Sequence, residues 1–293
     1  MTVTLKNDLL RVDISTHGAE LQSVRSVRTG HEYLWQGDPR FWGRRSPVLF
    51  PIVGAVWGGE MRIDGTAYRL GQHGFARDRE FAVVDDVPDG EAWFRLDADD
   101  DTLSLYPRRF SLLIGYSLQG ERIEVMWRVI NNDSRPMWFQ IGAHPAFNYP
   151  EFNPSDPVHG YLALDGRNLR AEMIAEAGCV GPGKTPVTTD ADGMIPVAAG
   201  TFARDAIILP DRQVRRVSLM DKEHRPYLTM LFRAPVVGLW SPDPDAPFVC
   251  IEPWWGRADS VGFTGDFSQR HWTEHLAPGR EFTAGYLLII DNL

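Results

Sequence analysis

Apolar and polar residues alternate along this chain from one end to the other, and that period of two constrains the fold more than any other feature. In "ERIEVMWRVIN" (residues 121–131), Ile123, Val125, Trp127 and Val129 fall on one side of an extended backbone and Glu124, Met126 and Arg128 on the other. Successive side chains of a strand point to opposite faces, so a run of this kind buries one face and wets the other. Shorter runs of the same type occur at "LLRVDIS", "RFSLLIGYSL", "RRVSLM", "YLTMLFRA", "FVCIEP" and "AGYLLIID", divided by turn clusters such as "NNDS", "SPDPDAP" and "PDG". Glycine (27) and proline (21) are numerous enough to supply many tight connections in place of long helices. The expectation is an all-β fold, one large and mostly antiparallel β-sandwich spanning residues 1–293 as a single domain, with a short helix near "NLRAEMIAEA" (residues 168–177).

The totals remove several function classes. A formal charge of −9 argues against a nucleic-acid partner, because such proteins concentrate Lys and Arg to displace counterions. A small ligand suits the chain better. The two cysteines, Cys179 and Cys250, are far apart and in no C-x-x-C spacing, which predicts neither a disulfide framework nor a thiolate zinc site and makes a reducing cytoplasm the expected location. The opening "MTVTLKNDLLRVDIS" alternates where a signal peptide would carry a basic stretch and then an apolar one. No apolar run approaches the roughly 18–20 residues of a membrane helix, so no membrane partner is expected.

Two complete motif matches fail on their surroundings. "GCVGPGKT" (residues 178–185) fits G-x-x-x-x-G-K-[ST], but a phosphate loop follows a buried strand and opens a helix, and here Thr185 is followed at once by Pro186 and the aperiodic "VTTDADG". "HWTEH" (residues 271–275) fits H-x-x-E-H, which needs a helix to put both histidines on one face, yet Pro278 and Gly279 follow within four residues. A Gly-rich turn and a pair of connection histidines are the expected readings.

Polar and reactive side chains inside apolar or aromatic strands are costly unless satisfied or used, and four stretches contain them: "GQHGFARD" (71–78), "FQIGAHPAFNYP" (139–150), "ARDAIILPD" (203–211) and "FVCIEPWWGRAD" (248–259). His144 lies between small Gly142–Ala143 and Pro145, and Glu252 ends an apolar run beside Trp254 and Trp255. A carboxylate next to tryptophans suits a sugar site, because aromatic faces stack on the C–H faces of pyranoses. The pattern alone leaves the plainer alternatives open: a hydrogen-bonded core histidine, a strand-end salt-bridge partner, and turn or capping roles for His73 and Asp205.

Taken in order, "HGAELQSV", "SPVLFPIVG", "QHGFARD", "GAHPAFN", "RDAIIL", "CIEPWWGRAD" and "LAPGREF" resemble the aldose 1-epimerase (galactose mutarotase) family, in the bacterial branch near the hexose-phosphate epimerases. The resemblance covers about residues 5–290 and implies a large β-sandwich. It implies His144 as general acid and Glu252 as general base in the interconversion of sugar anomers, with a small sugar as substrate and neither metal nor cofactor. It further implies that His73 and Asp205 hold sugar hydroxyls and that Gln72 and Arg77 contact substrate. Many relatives carry an Arg after "PIVG" where this chain has Ala55; Arg44 or Arg45 is the expected substitute. Carboxylates such as Glu252 and Asp205 are expected to favour a protonated His144. A hexose-6-phosphate epimerase, a carbohydrate-binding module without turnover and a retaining glycosidase using two carboxylates remain as alternatives.

Overall fold

The computed structural model describes residues 1–242 and 245–293. The alternating runs fold as the period predicts. Arg122–Asn131 pairs antiparallel with Phe110–Gln119 on one side and Glu281–Ile290 on the other. Along it Ile123, Val125, Trp127 and Val129 are buried while Glu124 is exposed. These three strands are the middle of a nine-stranded antiparallel sheet whose spatial order runs Ile195–Ala198, Val158–Leu164, Arg216–Met220, Pro226–Phe232, Glu281–Ile290, Arg122–Asn131, Phe110–Gln119, Glu91–Asp97, Ala82–Val84.

A second antiparallel sheet runs Cys179–Val180, Arg170–Glu176, Ile207–Leu209, Val236–Trp240, Phe248–Trp255, Ile141–Ala143, Val48–Leu49. Its inner face packs on the first sheet: the Trp255 indole meets that of Trp127 edge-on at 5.6 Å, and Val237, Leu239, Val249 and Ile251 join the same core. Burial of these aliphatic and aromatic side chains, each worth roughly 1.5–3 kcal/mol, holds the sandwich together. The outer face of the second sheet is apolar too, carrying Leu49, Ala206, Ile208, Val236 and Trp254 under a cover of loops. A sheet buried on both faces with one face roofed by loops is a natural place for a site. A three-stranded sheet, Thr2–Lys6, Leu10–Ser15 and Leu21–Ser26, adds Val12, Ile14 and Leu21 to the main core.

The helix expected near residues 168–177 is instead the strand Arg170–Glu176. Ala and Glu favour a helix by only a few tenths of a kcal/mol each. Here that preference loses to ladder bonds with Ile207–Leu209, Cys179–Val180 and Thr185–Pro186, and to burial of Ala171. The α-helix among the described residues lies at Asp100–Leu105, opened by a reciprocal capping box between Asp99 and Thr102.

Neither motif match has the structure its chemistry requires. Cys179–Val180 and Thr185–Pro186 are short strands, no helix begins at Thr185, and Lys184 pairs with Asp211. His271 lies in a turn, and His275 stands in the strand Glu274–Leu276 against Trp138, with ring centroids 4.4 Å apart. No helix of the described residues is long and apolar enough to cross a membrane.

Candidate active site

The site is built on the strand Phe248–Trp255, whose eight residues are all buried. Alternation sends Val249, Ile251 and Trp255 into the core between the sheets and turns Phe248, Cys250, Glu252 and Trp254 to the loop-covered face. Glu252 therefore stands inside the strand, where the sequence pattern suggested its end. Trp254 and Trp255, read together as sugar-stacking candidates, go opposite ways, and only Trp254 reaches the outer face.

Two close approaches let the Trp254 indole lie against the sheet. A Cβ at Gly142 would sit 2.7 Å from that ring and one at Gly238 would sit 2.6 Å from it. Both residues belong to the flanking strands, opposite Trp254 and Glu252 respectively. On one side of the central strand the neighbouring chain breaks. Ile141–Ala143 pairs with Trp254 and Trp255, Ala146–Asn148 pairs with Phe248 to Cys250, and His144–Pro145 bridges the gap beside Glu252. Proline has no N–H to continue a ladder, and the His144 amide is drawn off to Pro47 O at 3.0 Å. This break is how "GAHPAF" delivers an imidazole to a carboxylate.

His144 Nε2 lies 3.2 Å from Glu252 Oε2, close but out of line for a hydrogen bond. The imidazole is boxed by the face of Trp42 (centroids 4.6 Å apart) and by the Trp240 and His73 rings approaching edge-on at 5.4 and 5.6 Å. Burial, and then the charge of Asp205, push the Glu252 carboxyl well above its ordinary range. The Trp254 indole N–H does not reach hydrogen-bond geometry with it but is near enough to oppose that rise. Burial drives His144 down to about 3, and the Arg77 and Arg44 charges add to the fall. The shifts run against the expected imidazolium: desolvation and two guanidinium groups lower His144 while desolvation and Asp205 raise Glu252, so burial favours the neutral form of each.

Around this pair the structure gathers the four residues expected to contact substrate. Gln72, His73, Arg77 and Asp205 line the same cavity of about 460 Å³ as His144 and Glu252, a size within the roughly 300–1,000 Å³ of small-ligand sites. His73 adopts φ 67°, and its Nδ1 accepts the Gly54 N–H at 3.1 Å. Burial holds its pKa well below the usual value, so the ring is neutral; with Nδ1 accepting, its hydrogen lies on Nε2, toward which the neighbouring Gln72 side-chain amide must turn its oxygen. Arg77 donates to Gln72 O at 2.8 Å, and burial followed by the Arg44 charge brings it down to about 10, still cationic at neutral pH. Asp205 sits at φ 69° with its carboxylate on the Ala206 N–H at 2.7 Å.

Arg44 lines the cavity and pairs with Asp78 at 2.8 Å, whereas Arg45 turns away to donate to Gln22 O at 2.9 Å. Of the two candidates for the arginine absent at Ala55, the structure places Arg44 at the site. Sequence reasoning missed Trp42 and Trp240, which also line the cavity. Trp240 ends the strand Val236–Trp240 with alternation toward the outer face, a signal the pattern did carry; Trp42 lies in an irregular segment with none.

Among the described residues, two groups have metal-ligand chemistry. Ligand atoms of His144, Cys250 and Glu252 lie within 4.8 Å of one another, as do those of Asp190, Asp192 and His224. In the second group Asp190 Oδ1 is already taken by the N–H groups of Asp192 and Met194.

The sequence profile of the aldose 1-epimerase family matches residues 1–163. The chromosomal protein LacX of Lactococcus lactis subsp. lactis is 31% identical over 278 residues, 89% of this chain and 90% of its own length. A galactose mutarotase related enzyme from Lactobacillus acidophilus superposes with a TM-score of 0.90 at 34% identity, over 100% of this chain and 98% of that one. A galactose mutarotase-like protein from Lactobacillus casei does so with a TM-score of 0.92 at 27% identity, over 99% and 100%.

Proposed function

The chain belongs to the aldose 1-epimerase family, and from that premise we propose that it interconverts the α and β anomers of an aldohexose, with His144 and Glu252 as the acid–base pair. The observation that carries this reading is the buried imidazole–carboxylate pair, 3.2 Å apart, facing a cavity floored by Trp254.

With the proton on His144, Glu252 takes the proton of the C1 hydroxyl while His144 gives its own to the ring oxygen. The C1–O5 bond breaks and leaves an aldehyde at C1. Rotation about C1–C2 turns the other carbonyl face to O5, and the same two transfers run backwards. The pair carries one proton throughout, on His144 before ring opening and on Glu252 after it. Burial lowers His144 and raises Glu252, shifts in the direction of the distribution that the open-chain intermediate carries. The neutral His73 offers its Nε2–H to a sugar hydroxyl, Gln72, Arg77 and Asp205 supply further polar contacts, and Trp254 stacks on the C–H face.

One observation favours a second reading of the substrate. Arg44 and Arg77 both face the cavity, and two guanidinium groups suit a 6-phosphorylated aldose. The decisive test is polarimetry on freshly dissolved α-D-glucose, α-D-galactose and their 6-phosphates. An epimerase accelerates the decay of optical rotation of at least one of them. A carbohydrate-binding protein without turnover, or a glycosidase, leaves every trace at its spontaneous rate and would refute the proposal.

A further inference from the structure

The His144–Glu252 pair has a third member that the epimerase chemistry does not use. Cys250 stands two residues before Glu252 on the same face of the same strand, fully buried beside Trp35, Ala146 and Phe248. Ligand atoms of Cys250, Glu252 and His144 lie mutually within 4.8 Å, so small side-chain movements bring all three onto one ion. Glu252 Oε2 and His144 Nδ1 are both buried, and neither has a hydrogen-bond partner among the described protein groups. The Nε2–Oε2 separation of 3.2 Å equals the edge of a tetrahedron with metal–ligand bonds of about 2.0 Å.

We propose that His144, Cys250 and Glu252 form an inhibitory site for a borderline-soft divalent cation, zinc above all, which occupies the acid–base pair and excludes the sugar. One thiolate, one imidazole and one carboxylate select zinc over magnesium or calcium, which prefer all-oxygen shells. Three protein ligands leave the fourth position open toward the cavity for a water molecule. On binding, the thiol proton and the proton shared by His144 and Glu252 pass to solvent, and the ligands become thiolate, neutral imidazole and carboxylate. The sequence concealed this site because its ligands follow no zinc-finger spacing: His144 comes from another strand, brought in by the break at His144–Pro145.

The binding claim stands on geometry alone; the inhibition claim rests on the proposed epimerase reaction. Cobalt(II) separates the two because it reports on the ligands without any turnover. Titration of the metal-free protein with one equivalent of Co²⁺ is expected to give the visible bands of a tetrahedral ion together with a near-ultraviolet thiolate-to-cobalt charge-transfer band. Cys250→Ala should abolish the charge-transfer band, whereas Cys179→Ala, at the other buried thiol, should keep it. In mutarotation assays Zn²⁺ should inhibit competitively with sugar and be reversed by a chelator, and Cys250→Ala should retain the metal-free rate while weakening zinc inhibition more than about tenfold, the least expected from losing a direct ligand. Absence of a thiolate band, or a band that survives Cys250→Ala in protein confirmed folded by circular dichroism, would overturn the site. A thiolate band in a protein that does not accelerate mutarotation would keep the site and overturn the reaction.

Discussion

Beneath the cavity lies a buried ion pair whose removal gives a quantitative test of how the site is held. Arg270 Nε meets Asp259 Oδ1 at 2.6 Å, with side chains only 1% and 4% exposed. Asp259 Oδ2 accepts the Trp57 N–H at 2.9 Å, and Arg270 Nη2 reaches the carbonyls of Val53, Ala55 and Arg257 at 3.3–3.4 Å. The pair thus clamps the Val53–Trp57 loop, whose Gly54 N–H fixes the His73 ring. Arg270→Met keeps the volume but leaves Asp259 charged and buried without its partner, a cost of about 3–5 kcal/mol. At about 2 °C per kcal/mol for a chain of this size, the melting temperature should fall by about 6–10 °C. The double variant Arg270→Met/Asp259→Asn removes the stranded charge and keeps an acceptor for the Trp57 N–H, so it should recover to within about 2 kcal/mol of the parent. Thermal and urea denaturation of the four proteins in this cycle measures both quantities. A loss below about 1 kcal/mol for the single variant, or a double variant no more stable than the single, would refute the account of the clamp.

Three further outcomes are expected. The pH profile of kcat/KM should stay level from neutrality well into the acid range and fall only toward about pH 3, where His144 takes a second proton into the pair; the alkaline limb belongs to Glu252, whose raised carboxyl keeps the single proton well past its ordinary value. An acid limb near pH 6, read from initial mutarotation rates, would contradict that order. If the substrate carries a phosphate, Arg77→Ala should reduce kcat/KM far more for the 6-phosphate than for the free sugar, and equal losses would count against charge recognition there. Lys184→Ala should leave mutarotation unchanged, because Lys184 pairs with Asp211 in a loop with no helix to receive a phosphate; an ATP-dependent rise in melting temperature lost in that variant would show otherwise.

What the sequence made legible is what local patterning controls. The run at residues 121–131 predicted both a strand and its buried side, and Ile123, Val125, Trp127 and Val129 obey it. Arg170–Glu176 was illegible because its strand state comes from partners up to 36 residues away, such as Ile208 opposite Glu172. His144 and Glu252 were visible as polar residues in apolar strands, but their meeting is set by a ladder break opposite Glu252 that no local pattern announces. Their ionisation was misjudged for a related reason. Adjacent charges can be guessed from motifs, whereas desolvation depends on the closed box of Trp42, Trp240 and His73, which exists only after folding.

The central claim is that His144 and Glu252 exchange one proton with the sugar, and the most direct measurement is the mutarotation rate of Glu252→Gln and His144→Asn beside the parent. General acid and general base catalysis each supply about 10²–10⁴ in rate. With fresh α-D-glucose or α-D-galactose, whichever the parent turns over, each substitution should lower kcat by that factor while circular dichroism shows the fold intact. Near-parental mutarotation by folded Glu252→Gln would contradict the mechanism, whatever the family of the chain.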